Sequence, residues 1–167
     1  MRLPVILLTL ALSLAAGAAQ AGEVLFGKAR ARDDVAAVRA AAPDAVAPKE
    51  RDSLNGAALG LEVAAQGHFG TTWRVRYFFL DGRLDAVQLA HNPPPGRRAD
   101  DIRQAQLYLQ GLAAMHRGQW TCKQPVDPAT TTYLDCDIPG AKIDVGYSYM
   151  DFGGPFEVIV YRTKRPL

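Results

Sequence analysis

The three histidines are the side chains best suited to acid–base chemistry or metal binding near neutral pH. His68, His91 and His116 are far apart in the sequence, and none lies three or four positions from another histidine or from a cysteine. Metal binding and general-base catalysis both need several such groups to converge on one point. The spacing of the histidines therefore predicts neither a metal site nor a catalytic base.

Carboxylates and hydroxyls give no stronger indication of catalysis. The acidic pairs Asp33-Asp34 and Asp100-Asp101 each precede a helical pattern, where carboxylates accept hydrogen bonds from free backbone N–H groups. Ser53 and Ser148 stand in neither a G-x-S-x-G nor an S-x-x-K context. The glycines at positions 67, 70, 82, 153 and 154 fall at predicted turns, and no phosphate-binding pattern is present. We therefore expect no catalytic residue and no cofactor.

The first 21 residues have the pattern of a secretory signal peptide. Met1-Arg2 supplies a positive start, Leu3–Ala16 is an apolar stretch, and small residues follow up to Ala21. A membrane anchor or a buried helix is the alternative, but the apolar run is shorter than the roughly 20 residues that a bilayer span needs. We predict cleavage near Ala21 and a soluble, periplasmic or secreted product without a transmembrane span.

Export changes the interpretation of the two cysteines. An even number of cysteines in an oxidising compartment favours a structural disulfide. Two free thiols or a reactive thiol are the alternatives, but the sequence has no C-x-x-C motif and no nearby histidine that would activate a thiolate. We predict a disulfide between Cys122 and Cys136.

The charge balance excludes one class of partner. The chain has 167 residues with 19 Lys and Arg against 17 Asp and Glu, which is a formal net charge of +2. Nucleic-acid binding needs a concentrated basic surface, so we expect no nucleic-acid partner. A content of 49% hydrophobic and 22% charged residues is typical of globular proteins and excludes a disordered chain.

Residues 22–92 are predicted to form one helix followed by three strands. The helix Val35–Ala42 starts behind an acidic pair and ends at Pro43. Asp81-Gly82 lies between two alternating runs and predicts a tight type I′ hairpin, because both residues tolerate the positive φ angles of that turn. The predicted strands are a run through Leu59, Leu61 and Val63 that ends at Gln66-Gly67, then Thr71–Leu80 and Arg83–Ala90.

The order of helix and strands is repeated in the second part of the chain. Residues 93–99 are predicted to be a proline-rich linker, and residues 100–167 begin with a helix that runs to about Arg117. Helices that precede hairpin-connected strands predict an α+β fold in which an antiparallel sheet has helices packed on one face. The two parts would then be tandem halves of one domain. The predicted strands of the second half are Gln119–Lys123, Thr131–Asp137, Lys142–Met150 and Phe156–Arg162.

One predicted strand has a side-chain composition typical of interfaces. Arg74, Arg76 and Phe78 lie opposite its apolar face. If the helices cover only one face of the sheet, these side chains are open to a partner, and interfaces are enriched in aromatic residues and Arg. Tyr147 and Tyr149 extend the same argument to the second half. The alternative is that all five are ordinary solvated strand positions.

The layout of the first half resembles a type of small exported bacterial protein. The run Phe26–Val38 places Gly27 before an acidic helix start, a proline then ends the helix, and a β-meander with an Asp-Gly hairpin follows. This arrangement resembles the barrel-assembly lipoproteins of the outer membrane and the β-lactamase-inhibitor-protein fold, over Phe26 to Ala90. The resemblance implies a helix-then-sheet architecture, a sheet that binds protein, and no catalytic groups. The acylated cysteine of the lipoproteins is absent, so membrane attachment is not implied.

These features together predict a non-catalytic module that binds another envelope or secreted protein. An envelope-assembly factor, an enzyme inhibitor and an immunity protein all fit this description. A small exported hydrolase, whose acid and base are distant in the sequence, is one alternative. A small-ligand carrier, with an apolar cavity of roughly 300 Å³ or more, is the other.

Overall fold

The computed structural model describes residues 22–94, 96, 98–127, 130–140, 143–151 and 154–164, so the predicted signal peptide lies outside the described residues. The described part contains helices and strands in the proportions of an α+β protein. In chain order the elements are β1 (Val24–Phe26), β2 (Ala29–Arg30), α1 (Val35–Ala41), β3 (Ser53–Leu54), β4 (Ala57–His68), β5 (Thr71–Leu80), β6 (Arg83–His91), α2 (Arg98–His116), β7 (Thr121–Cys122), β8 (Tyr133–Pro139), β9 (Ile143–Asp151) and β10 (Pro155–Thr163).

Strands β3 to β10 form one antiparallel sheet of eight strands. Their order across the sheet is β3-β4-β5-β6-β10-β9-β8-β7. Strands β3–β6 make up one side, β7–β10 make up the other, and β6 pairs with β10 at the centre, where Ala90 lies opposite Val158. The predicted α+β class with an antiparallel sheet is confirmed.

The predicted hairpin between β5 and β6 is also confirmed. Asp81 and Gly82 have φ angles of 51° and 72°, and a type I′ turn requires positive values at both positions. The two strands pair along their length, from Leu80 opposite Arg83 to Arg74 opposite Ala90.

One face of the sheet carries the main apolar core, and we call it the core face. Trp73, Val75 and Tyr77 alternate along β5 and are each at most 1% exposed. Buried side chains of both helices belong to the same cluster. The ring of Tyr108 in α2 lies 5.8 Å from the ring of Trp73 and 6.5 Å from that of Tyr147, measured between centroids. Burial of each large side chain contributes about 1.5–3 kcal/mol.

A smaller apolar cluster lies on the opposite side of the sheet, which we call the outer face. A bulge in β4 between Leu59 and Leu61 moves Leu59 to this side, opposite Phe78 of β5. The edge strand β3 pairs with the start of β4 and brings Leu54 against the same cluster. The buried members of the cluster are Ala57, Leu59, Phe78 and Ala86, and Leu54, Leu80 and Val160 pack against them.

Both helices start close to their predicted positions. The Asp34 carboxylate caps α1 by accepting a hydrogen bond of 2.9 Å from the Ala37 backbone N–H. Helix α2 begins at Arg98, inside the stretch 93–99 that was predicted as a linker, and ends at His116. Arg117 follows with a φ angle of 51°, a left-handed conformation that terminates a helix. Neither described helix has the length and apolar character that a membrane crossing requires.

Three short strands are absent from the sequence prediction. β1 and β2 form a hairpin around Gly27, which has a φ angle of 59°. β3 pairs with β4 through Ser53 and Ala58. Strands of two or three residues are too short to show an alternating pattern. Their pairing with neighbouring chain segments therefore determines that they form strands.

The predicted disulfide is confirmed, because Cys122 and Cys136 are bonded to each other. The two residues lie directly opposite in the β7–β8 pair, and Cys136 is fully buried. β7 is shorter than the predicted Gln119–Lys123. The bond therefore ties a two-residue edge strand to the sheet.

Candidate functional site

Two rows of aligned side chains cross the outer face of the sheet. Strand pairing sets these rows, and the alternation along each strand places them opposite the core face. We call the residues of both rows the outer-face rows. From β4 to β8 the first row consists of Glu62, Arg76, Gln88, Val160, Gly146 and Asp137. From β5 to β8 the second row consists of Arg74, Ala90, Val158, Ser148 and Asp135.

The middle of the outer-face rows is small and largely apolar, and the charged side chains lie at its two flanks. The central strands contribute the partly exposed Ala90 and Val160 and the buried Val158, with Gly146 and Ser148 beside them. No large side chain interrupts this central part of either row. We call these five residues the platform. An apolar centre with a polar border is the arrangement found at protein interfaces.

Arg76 has a structural role on one flank. Its guanidinium donates to the Asp52 carboxylate at 2.6 Å and to the Gln88 side-chain oxygen at 3.0 Å, and it lies 5.3 Å from the centroid of the Phe78 ring. The hydrogen bond from Arg76 lowers the pKa of the Asp52 carboxyl. Only 18% of the Arg76 side chain is exposed. This predicted surface residue therefore holds the segment before β3 against the sheet.

Arg74 and Glu62, unlike Arg76, make no ion pair with a described residue of the outer face. Arg74 is exposed and Glu62 is partly buried. Neither side chain makes an ion pair with any residue that the structure describes. Arg74 thus presents a cation, and Glu62 an anion, beside the apolar platform.

The acidic side chains on the other flank have cations beside them. Asp135 pairs with Lys123, which raises the pKa of the Lys123 amine. Asp137 lies 3.4 Å from the Arg162 guanidinium. Because these pairs are exposed, their main effect is to balance the charge of this flank.

Three residues of the predicted interaction surface are buried instead. Phe78 is 1% exposed, and Tyr147 and Tyr149 are both fully buried. Phe78 does lie on the outer face, but the second apolar cluster and Arg76 cover it. Tyr147 and Tyr149 share the core face with Val145 on β9. Of the predicted set, Arg74 alone is an exposed residue, and Arg76 is accessible only in part.

Glu157 is a buried acid that the sequence analysis did not identify. It is 2% exposed on the core face, and the Tyr147 hydroxyl donates a hydrogen bond of 2.9 Å to its carboxylate. Burial raises the pKa of Glu157 to about 7, and the nearby charge of Asp101 on α2 acts in the same direction. A sequence signal existed, since Glu157 alternates with the apolar Ile159 and Tyr161 along the last strand.

The structure brings together two histidines that are distant in the sequence. The His68 Nε2 atom lies 3.4 Å from the Tyr161 hydroxyl, and the His116 ring centroid lies 5.6 Å from that of Tyr161. Burial lowers the pKa of both histidines. The His91 ring centroid lies 5.2 Å from that of Trp73, and its Nε2 atom lies 3.4 Å from the Thr71 hydroxyl. Among the described residues, no group of three or more His, Cys, Asp or Glu is placed to hold a metal ion.

No family profile, curated protein or solved structure matches this chain.

Proposed function

We propose that this protein is an exported, non-catalytic module that binds a partner protein on the outer-face rows. The observation that carries the proposal is the unequal use of the two sheet faces. The buried apolar side chains of α1 and α2 belong to the core-face cluster, whereas the outer-face cluster contains no helical residue among those described. We infer that both helices pack on one face and leave the platform accessible.

The chemistry of the platform defines the partner. Ala90 and Val160, which are partly exposed, favour an apolar patch on the partner, because contact removes apolar surface from water. Arg74 favours a carboxylate at the edge of that patch, and Glu62 favours a cation beside it. The partner is therefore an envelope or secreted protein with a flat apolar patch bordered by charges of both signs. Assembly factor, inhibitor and immunity protein are roles of this kind.

Site-specific photo-crosslinking in the native cell envelope tests the position of the binding surface. A photoreactive amino acid at Ala90 is expected to form an adduct with one partner protein. The matched control position is Leu107, which is 57% exposed on α2 and also apolar. An adduct at position 107 without one at 90, or no adduct at either, would contradict the proposal.

Titration with the purified partner then tests the role of charge. Arg74→Glu is expected to weaken binding about tenfold, because the variant places like charges together at the interface. Leu107→Glu also introduces a carboxylate, away from the platform, and is expected to leave the affinity unchanged. Equal affinities of the wild type and Arg74→Glu would overturn the assignment of this surface.

A further inference from the structure

The second half of β4 lies at the edge of the large sheet. On one side it pairs with β5 as far as His68. On the other side, every segment that the structure describes pairs with a residue of β4 before Val63: β3 pairs with the start of β4, and Val46 forms an isolated bridge with Glu62. Residues 63–67 therefore have no neighbouring strand on that side among the described residues, and we call them the free edge of β4.

The bridge at Val46 shows that this side of β4 accepts a neighbouring chain segment. The Val46 N–H donates to the Glu62 carbonyl and the Glu62 N–H donates to the Val46 carbonyl, each at 2.9 Å. The residues before Val46 form a turn instead of continuing along β4, because the Ala45 N–H donates to the Ala42 carbonyl at 3.0 Å. Pairing on this side therefore stops one residue before the free edge begins.

The composition of the free edge does little to prevent pairing with another chain. Proteins protect exposed edges with charged residues, prolines or bulges, and residues 63–67 include neither a charged residue nor a proline. Ala64, Ala65 and Gly67 are exposed, and a Cβ atom added at Gly67 would meet nothing within 4 Å. A bulge between Val63 and Gln66 interrupts the regular register, so the edge suits a short added strand.

A cleft of about 320 Å³ runs beside the free edge. Val63, Ala65, Gln66 and Gly67 line one wall, and the β1–β2 hairpin and the residues that end α1 line the other. Five residues of a strand span roughly 16 Å, so the free edge offers one short row of backbone groups inside an enclosed space. Exposed Lys28 and Asp44 also line the cleft, and their opposite charges favour a segment without a large net charge.

We propose that a short extended segment of a partner polypeptide adds to the free edge of β4 as an extra strand, next to the position that Val46 occupies. Its backbone N–H and C=O groups pair with those of the free edge, and such main-chain hydrogen bonds provide the affinity when a peptide extends a sheet. This proposal is independent of protein binding on the outer-face rows, because the two surfaces share no residue.

The probe is the uncharged pentapeptide acetyl-Thr-Val-Thr-Val-Thr-amide, whose β-branched residues favour an extended chain. Titration of the purified protein is followed by NMR at the backbone amides of residues 64–67 and of Leu107 on α2. The peptide is expected to cause saturable shifts at the free edge and none at Leu107. The proposal is overturned if the amides of the free edge do not shift.

Two modified peptides test whether the backbone carries the binding. One is N-methylated at the three threonines and the other at the two valines, so the side chains stay the same. The N–H groups of alternate residues in a strand point to opposite edges, and only one set can face β4. One modified peptide is therefore expected to bind as the parent does, and the other roughly tenfold more weakly or less. Equal affinities of the two modified peptides would overturn the proposal.

A pair of alanine variants tests the position of the added strand. Ala65→Phe places a large side chain in the cleft that Ala65 lines, and it is expected to abolish the shifts caused by the parent peptide. Ala64→Phe makes the same change at an exposed neighbour that does not line the cleft, and it is expected to bind the peptide as the wild type does. Wild-type affinity in Ala65→Phe would overturn the proposal. Since the comparison of the peptides needs only the wild type, it decides the matter even if Ala65→Phe does not fold.

Discussion

Glu157 illustrates how two opposing effects set the state of a single residue. The hydrogen bond from Tyr147 favours the ionised carboxylate, whereas burial in the core face favours the neutral acid. The effect of burial is larger, so the pKa rises to about 7. The same burial raises the pKa of Tyr147, which therefore remains a hydrogen-bond donor. Folding thus favours a protonated Glu157 at mildly acidic pH.

The first prediction concerns the pH dependence of stability. The pKa of Glu157 is higher in the folded state than its ordinary value of 4.5, so its contribution to stability is complete below that value and is lost as the pH rises through about 7. The loss amounts to about 3 kcal/mol. Glu157→Gln is expected to remove this dependence, as measured by the free energy of unfolding in denaturant at pH 5 and pH 8.

His68 and His116 also make the stability depend on pH, so the experiment needs a control for their contribution. Their lowered pKa values act in the opposite sense, because stability is then lost as the pH falls below the ordinary value of 6.5. The comparison of the variant with the wild type cancels this contribution. Glu62→Gln makes the same chemical change on the outer face and serves as the matched control for Glu157→Gln. An unchanged pH dependence in Glu157→Gln would contradict the prediction.

Among the elements, the β5–β6 hairpin depends on backbone conformations that few residues adopt. Gly82 has a φ angle of 72°, a region that costs residues with a Cβ atom about 1–2 kcal/mol. The turn connects the strand that carries Trp73 and Tyr77 to the central strand β6. Its geometry therefore helps to fix the register of both faces of the sheet.

The second prediction follows from the conformation of Gly82. Gly82→Ala is expected to lower the free energy of unfolding by about 1 kcal/mol, because the added Cβ atom is strained at a positive φ angle. Gly67→Ala is the matched control, since Gly67 lacks a positive φ angle and a Cβ atom there would meet nothing within 4 Å. Denaturant unfolding of both variants provides the measurement. Equal effects at the two positions would show that strain at the turn is not the cause.

At the scale of the whole molecule, pairing between distant segments joins the two parts of the chain. The central pair of strands, β6 and β10, brings residues near position 90 against residues near position 158. The Cys122–Cys136 bond then secures the β7–β8 edge of the same sheet. A disulfide of this kind agrees with folding in an oxidising compartment, as the predicted signal peptide requires.

The third prediction concerns export. Production with residues 1–21 is expected to yield protein that begins at Gly22 and contains the disulfide, which intact-mass spectrometry detects. Cytosolic production without these residues is expected to leave both thiols reduced and to lower the free energy of unfolding by about 3 kcal/mol. An unprocessed chain with reduced cysteines, isolated from the cytosol of the native cell, would contradict the proposed export.

Local patterns were sufficient to predict most of the elements but not the accessible surface. The alternation in β5 correctly separates Arg74 from Trp73, because side chains on a strand point to opposite faces. The burial of Phe78 depends on β3, on the bulge in β4 and on Arg76, and these come from three separate segments. Tyr147 has the same alternation as its apolar neighbours, so its pattern alone already favours the core face.

The amino-acid sequence alone determined the long strands, the two helix starts, the Asp-Gly hairpin and the paired cysteines. Each of these follows from the conformational preferences and spacing of neighbouring residues. The tertiary structure decided which surfaces are accessible, where Glu157 meets Tyr147, and which part of β4 lines the cleft. Those relations arise when strands distant in the sequence pair and when buried side chains of both helices join the core-face cluster, because burial depends on all the surrounding segments at once.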